Sequence, residues 1–169
     1  PSLETYIWPE GGIENILHAF FQNVSTTTLD ATNGVYQHEF TPAELSVTPT
    51  YYTFEVGLDN ITALRAPNCL VDSLEFSFSS SEPPRLSVSA VGDSATTTAL
   101  ATPSYTTVRP FMNADTDVKI GGTSVELQEL SIELNNNLNR RHNLTAALVG
   151  IDLSALEITG SLSVWFLSA

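Results

Sequence analysis

The side chains in this chain that could ligate a metal or move a proton are three histidines, His18, His38 and His142, one cysteine, Cys69, and a set of dispersed acids. Zinc and related metals need such groups at short, repeated spacings, and no histidine here stands at a ligand spacing from another histidine, the cysteine or an acid. No zinc site is expected. Asp115 and Asp117 form an Asp-x-Asp pair that could share a calcium ion, but no glycine or bidentate glutamate follows at the offsets a calcium loop requires, so they read as a solvated loop. Serine, histidine and aspartate all occur, yet no serine lies in a nucleophile elbow with a base beside it. Glu55, Glu75, Glu129 and Glu133 fall on the polar faces of predicted strands. A paired-carboxylate glycosidase would draw on such acids, but no spacing singles out a pair. No catalytic residue, cofactor or metal is expected.

The remaining polar signals read as structure. Arg140-Arg141, followed by His142, is the one cationic cluster and reads as a solvated turn between two strands rather than an anion site. Cys69, next to Leu70 and Val71, reads as a small buried hydrophobe and cannot form an intrachain disulfide alone. The sequons at Asn23, Asn60 and Asn143 are what a chain this rich in Asn, Ser and Thr yields by chance. A net charge of −13 excludes a phosphate-binding surface of the usual Lys/Arg kind, so sequence-specific nucleic-acid binding is not expected. With 169 residues, 42% of them hydrophobic, the chain can bury a core as one domain over residues 1–169, and no apolar run is long enough to cross a bilayer. Charged residues are only 15%, and Ser and Thr supply the missing polarity, a surface suited to β-proteins that assemble. The chain opens at Pro1 with no methionine, basic n-region or apolar signal core, so a processed or truncated start is expected.

The elements that must position any site are strands. From Ser73 to Ser79, Leu74, Phe76 and Phe78 alternate with Ser73, Glu75, Ser77 and Ser79, the pattern of a half-buried strand. Residues 80–84 break it with Pro83 and Pro84, and Leu86, Val88 and Ala90 resume it, which predicts a hairpin. Pro1 to Pro9 is expected to lie across the next element. Ile13, Ile16, Leu17, Phe20 and Phe21 mark one face of a helix that must dock on a sheet, with Asn23 as its stop. Ser25 to Gly34 reads as a loop, Val35 to Phe40 and Tyr51 to Val56 as strands, and Ile61 to Ala66 as a short turn or helix. Asp93 to Pro110 reads as a long functional loop without periodicity. Val118 to Ile120 is a strand closed by a Gly121-Gly122 turn. Val125 to Leu134 continues as a strand, with a β-bulge between Leu127 and Leu130. Asn135 to Asn143 reads as a polar turn region, Leu144 to Val149 and Leu153 to Ile158 are apolar, and Leu162 to Phe166 is the last strand.

Several of these segments, in order, resemble the phage tail tube protein family. They are the amphipathic segment Glu10 to Gln22, then Tyr36-Gln37-His38-Glu39-Phe40-Thr41-Pro42, similar to that family's His-x-Phe-Thr-Pro strand, then Tyr52 to Val56. The Cys69 to Leu74 strand with its return to Val91-Gly92, the Val118 to Val125 segment around Gly121-Gly122, and Leu130 to Leu138 complete the set. The resemblance covers nearly the whole chain, and it rests on order and spacing more than on any one motif.

The resemblance implies a mainly β fold, a β-sandwich or partial barrel with one flanking α-helix, whose copies form hexameric rings stacked into a tube with their sheets joined around a lumen. It implies a virion tail protein assembled in the host cytoplasm, with itself, tape-measure and tail-end proteins as partners, no membrane anchor, and DNA that passes without specific binding. Under that reading Ser73, Glu75, Ser77, Glu129, Ser131 and Glu133 are candidate lumen residues; alternation leaves open whether their face points inward or solvates the outside. The Asp93 to Pro110 loop is expected to reach an adjacent ring, and a further N-terminal arm is expected beyond the chain's start. The alternative class is a cell-surface or secreted β-sandwich binding module, which would present Trp or Tyr side chains together. Trp8 and Trp165 lie at opposite ends of the chain and read instead as packing residues.

Overall fold

A computed structural model describes residues 1–9, 12–43, 48–59, 61–102, 107–144 and 148–165. The protein is mainly β, with sheets that do not close and a single α-helix, α1 (Ile13–Phe21), among the described residues. The strands and the helix that the apolar patterns predicted are arranged in a way that agrees with the β-sandwich with a flanking helix that the resemblance implied. Glu10 and Gly11, at the helix approach, lie outside the described residues.

The helix starts at Gly12, whose φ of 93° suits glycine, and Glu14 sits in its first turn, where an acid complements the dipole. It ends one residue before the expected Asn23: Gln22 takes φ 63° as the C-cap and donates its backbone N–H to His18 O. Gln22 also begins β2 (Gln22–Asp30), so helix and strand meet without a linker. One face of α1 buries Ala19 and Phe20 against Ile7, Val71, Leu74, Leu86 and Val88, with Ile13, Ile16, Leu17 and Phe21 around them.

The strand beneath the helix is β5 (Thr62–Ser79), 18 residues long. Its second half is the predicted first strand of the hairpin; its first half replaces the turn or helix expected at Ile61 to Ala66. The β-branched Thr62 and apolar Ala63, Leu64 and Ala66 serve a strand equally well, and long-range pairing decides the matter. Around this first half lie β4 (Tyr52–Gly57) and β7 (Thr96–Ala99). Thus part of the expected long loop, Thr96 to Ala99, is bound as a strand, while 103–106 lie outside the described residues. At Pro67 and Asn68, the latter at φ 53°, β5 passes into a second sheet. There Gly92 crosses so closely over Cys69 that an added Cβ would sit 2.1 Å from its Sγ. Cys69 is fully buried, as expected, and burial pushes its thiol pKa up.

The second sheet has the order β1-β6-β5-β10-β13, every pair antiparallel. The strands are β1 (Ser2–Tyr6), β6 (Glu82–Val91), β10 (Leu127–Asn135) and β13 (Glu157–Val164). Pro1 to Pro9 therefore supplies an edge strand rather than crossing the next element. Pro83 and Pro84 lie inside β6 and not in the turn: a register shift between Ser77 and Ser79 of β5 accommodates them, and the Pro84 carbonyl accepts from Ile7 N. The predicted bulge appears as a register shift between Leu127 and Glu129.

Among the described residues, three two-stranded ribbons complete the fold. β2 pairs with β3 (Val35–Pro42), so Ser25 to Gly34 is a strand and turn rather than a loop. β8 (Lys119–Ile120) and β9 (Thr123–Ser124) flank Gly121 and Gly122, both at positive φ (59° and 85°), the turn expected of a Gly-Gly pair. β11 (Asn139–His142) pairs with β12 (Leu148–Asp152), which turns the expected polar loop at Arg140, Arg141 and His142 into a strand. Arg141 Nε lies 2.9 Å from an Asp152 oxygen in that ribbon.

Candidate functional site

In an antiparallel sheet, residues directly opposite one another share a face. Following the registers across the five-stranded sheet gives rows of one kind. Ser2, Ser89, Ser73, Asn135 and Glu157 form one row; Glu4, Ser87, Glu75, Glu133 and Thr159 form the next. Tyr6, Arg85, Ser77, Ser131 and Ser161 follow, then Glu82, Ser79, Glu129 and Ser163. Ser73, Glu75, Ser77, Glu129, Ser131 and Glu133 thus share one continuous polar face, two strands wider on one side and one on the other than those residues alone define. The opposite face carries Leu74, Phe76, Leu86, Val88, Leu130, Ile132 and Leu134 toward the helix side.

The face is acidic. Its cation, Arg85, is engaged by Glu4 at 2.6 Å and Glu82 at 2.8 Å, and Glu75, Glu129, Glu133 and Glu157 make no ion pair among the described residues. Glu75 and Glu133 stand directly opposite across β5 and β10, an arrangement that like-charge repulsion disfavours. Ser131 Oγ donates to Glu75 at 3.1 Å. Glu4, Glu75 and Glu133 border a shallow groove of about 290 Å³ on the open sheet. The sequence pattern showed the acids of each strand, but the cross-strand pairing of Glu75 with Glu133 emerges only from the register.

The motif residues lie elsewhere. His38, Phe40, Thr41 and Pro42 are all on β3, where His38 Nδ1 is 2.9 Å from Thr26 Oγ1 and Thr41 Oγ1 accepts from Asn23 Nδ2 at 2.8 Å. Phe40 stacks at a tilt on Phe21, 6.5 Å between centroids, and so ties the ribbon to the helix. Gly121 and Gly122 form the small β8–β9 turn, away from these residues in sequence. His18 contacts the Tyr52 hydroxyl through Nδ1, and burial raises the Tyr52 pKa. This helix-to-β4 contact and Asn136, which donates through Nδ2 to Phe20 O at 3.0 Å and Val71 O at 3.2 Å, had no signal in the sequence.

Among the described residues no cluster of three His, Cys, Asp or Glu side chains could hold a metal. Asp115 and Asp117 each pair with a cation instead. Asp115 lies 2.7 Å from Arg109 and accepts from Met112 N, and these contacts hold its pKa down at about 2, Arg109 first. Asp117 lies 3.2 Å from Lys119 Nζ. Glu55 pairs with Arg65 at 2.7 Å and accepts from Ala101 N, and both contacts lower its pKa, the backbone N–H first. Trp165 is 64% exposed rather than packed, because it stands just past the end of β13 at the rim of a cleft of about 400 Å³ with Phe78, Val118 and Leu127. No helix is long and apolar enough to cross a membrane among the described residues.

A sequence model described as phage tail tube protein matches residues 3–169. Among curated proteins no match is found.

Proposed function

Because this chain belongs to the phage tail tube protein family, we propose that its copies close into hexameric rings, that the rings stack into a hollow tube, and that the acidic sheet face lines the lumen through which DNA passes. The protein is one tube domain over residues 1–169. Its role is structural and not catalytic. Its partners are other copies, the tape-measure protein and the proteins at the tube's ends, and it is a component of the virion tail that assembles in the host cytoplasm.

One observation carries this reading: four adjacent polar rows, made mostly of Ser and Glu, run across the strands of the sheet. DNA must slide without sticking. Short hydroxyl side chains offer a phosphate no cationic grip, and fixed carboxylates repel it over about 8 Å at physiological salt. Placing Glu75 opposite Glu133 costs the isolated subunit some stability, a cost that makes sense where repulsion of a polyanion is the task. The family membership supplies the tube, and the register supplies a surface suited to its bore.

Negative-stain electron microscopy of the purified chain tests the ring, which should show a central channel. The lumen assignment is tested in particles carrying Glu75→Lys and Glu133→Lys together. Tubes should assemble and eject DNA more slowly, because lysines would grip the phosphates. Intact tubes with an unchanged ejection rate would place this face on the outside.

A further inference from the structure

We infer that neighbouring subunits of a ring join by parallel pairing of β13 in one copy with β1 in the next, an inference that rests on the ring reading above. The sheet β1-β6-β5-β10-β13 has an odd number of strands and every internal pair is antiparallel, so its two edge strands run in the same direction. Rotation about a ring axis leaves each strand's direction along that axis unchanged. Continuing the sheet around the ring therefore sets β13 beside a β1 pointing the same way. A twofold dimer would instead pair like edges antiparallel.

The edge of β1 is open for this. Ala90 N donates to Pro1 O and Ile7 N to Pro84 O, so the odd-numbered residues direct their backbone groups toward β6. In an antiparallel ladder the intervening Ser2, Glu4 and Tyr6 must direct theirs outward, where among the described residues no strand meets them. Such an edge invites a further strand. On the other side, β13 pairs only with β10 among the described residues.

The side chains agree on parity. Ser2 and Glu4 lie on the polar face at one edge, Thr159 and Ser161 at the other; Leu3, Ile158 and Leu162 lie on the opposite face and are 44%, 63% and 46% exposed. Joining in even register continues both faces and covers those three apolar side chains together, whereas a one-residue slip would push Leu3 into the acidic face. Glu4 beside Glu157 would set like charges opposite, so the register places Glu4 level with Thr159 or Ser161. Parallel pairs are less stable per residue than antiparallel ones, and β1 is only five residues long, so each junction is weak and depends on ring closure.

Cysteine scanning of the full chain tests direction and register together. Ser2→Cys and Tyr6→Cys are each combined with Glu157→Cys, Thr159→Cys, Ser161→Cys or Ser163→Cys; all of these positions are on the sheet's polar face, and the buried Cys69 is a spectator. After mild oxidation, denaturing gels read the ladder of linked subunits while electron microscopy reads assembly. Ser2→Cys should link several-fold better with Glu157→Cys or Thr159→Cys, and Tyr6→Cys with Ser161→Cys or Ser163→Cys. The partner thus moves toward the C-terminus as the probe does. A partner that moves the opposite way, or single variants that link to themselves, overturns the parallel junction. Rings or tubes that form without any of these links overturn it while leaving the ring reading in place. Failure of every variant and of the unmodified chain to assemble overturns the ring reading, and the junction with it.

Discussion

The five-stranded sheet and the β2–β3 ribbon are both antiparallel ladders, yet they are held in opposite ways. In the sheet, β6 alternates buried and half-buried residues, β5 buries Leu74, and the helix seals the apolar side over Leu74, Leu86 and Val88. The ribbon is exposed along almost every residue of both strands and pairs only with itself among the described residues. Its attachments include the Gln22 cap, the Phe21–Phe40 ring contact, Ala43 N donating to Phe21 O at 2.8 Å and Thr50 N donating to Gln22 Oε1 at 2.7 Å. A two-stranded ribbon without a covered face is marginal in water. Val24, Val35 and Tyr36 remain 38%, 45% and 54% exposed on it. The sheet is thus stable by what it covers within the subunit, whereas the ribbon leaves most of its surface uncovered.

The largest separation between the two regions should come from truncating the core. Leu74 has no exposed surface. Leu74→Ala should lower the unfolding free energy by about 2–5 kcal/mol, through lost burial and the cavity left behind. Urea unfolding would read this as a lower midpoint at unchanged slope; a loss below about 1 kcal/mol, under the range for a buried leucine, would mean that the helix does not seal this sheet. A smaller effect is expected on the ribbon. Tyr36→Ser should change unfolding by no more than about 0.5 kcal/mol, as exposed substitutions usually do, while tube formation seen by electron microscopy should weaken. A destabilisation as large as that of Leu74→Ala would show that the ribbon is packed within the subunit after all.

The same difference explains what could be read from the chain. Alternation records burial on one side, so Leu74, Phe76 and Phe78 against Ser73, Glu75 and Ser77 revealed β5 and its polar face at once. Ser25, Thr26, Thr27 and Thr28 show no alternation because both sides of β2 are wet, and a strand of that kind reads as a loop. β-branched threonine still favours the extended backbone, which the ladder to Tyr36, Gln37, His38 and Glu39 then fixes. Asn139 to His142 was hidden for the same reason, since every residue of β11 is exposed. The first half of β5 was hidden differently: its pairing with β4 and β7 is a long-range event that no local window contains. The polar residues of the acidic face were legible strand by strand, but their assembly into common rows needed the register.

Acid separates the two regions by the smallest effect and without any change of packing. The turn of the ribbon is held by one carboxylate: Asp30 accepts from Thr32 N at 2.9 Å, from Asn33 N at 3.2 Å and from Asn33 Nδ2 at 2.6 Å. These contacts, the Asn33 side chain first, lower its pKa below the ordinary value of 3.8. A depressed pKa means that the folded turn binds its proton less readily than the unfolded chain. The turn's stabilisation is therefore complete above pH 3.8 and is lost as pH falls through the lower folded value. In NMR spectra the Thr32 and Asn33 amides should titrate with a midpoint below 3.8, and Asp30→Asn should abolish that titration. The amides of Leu74 and Val88, in the covered sheet, should not follow it. A midpoint at or above the ordinary value would show that the carboxylate does not hold the turn in solution. If sheet amides moved with the same midpoint, ribbon and sheet would open as one unit, and the distinction between a self-covered body and an uncovered ribbon would fail.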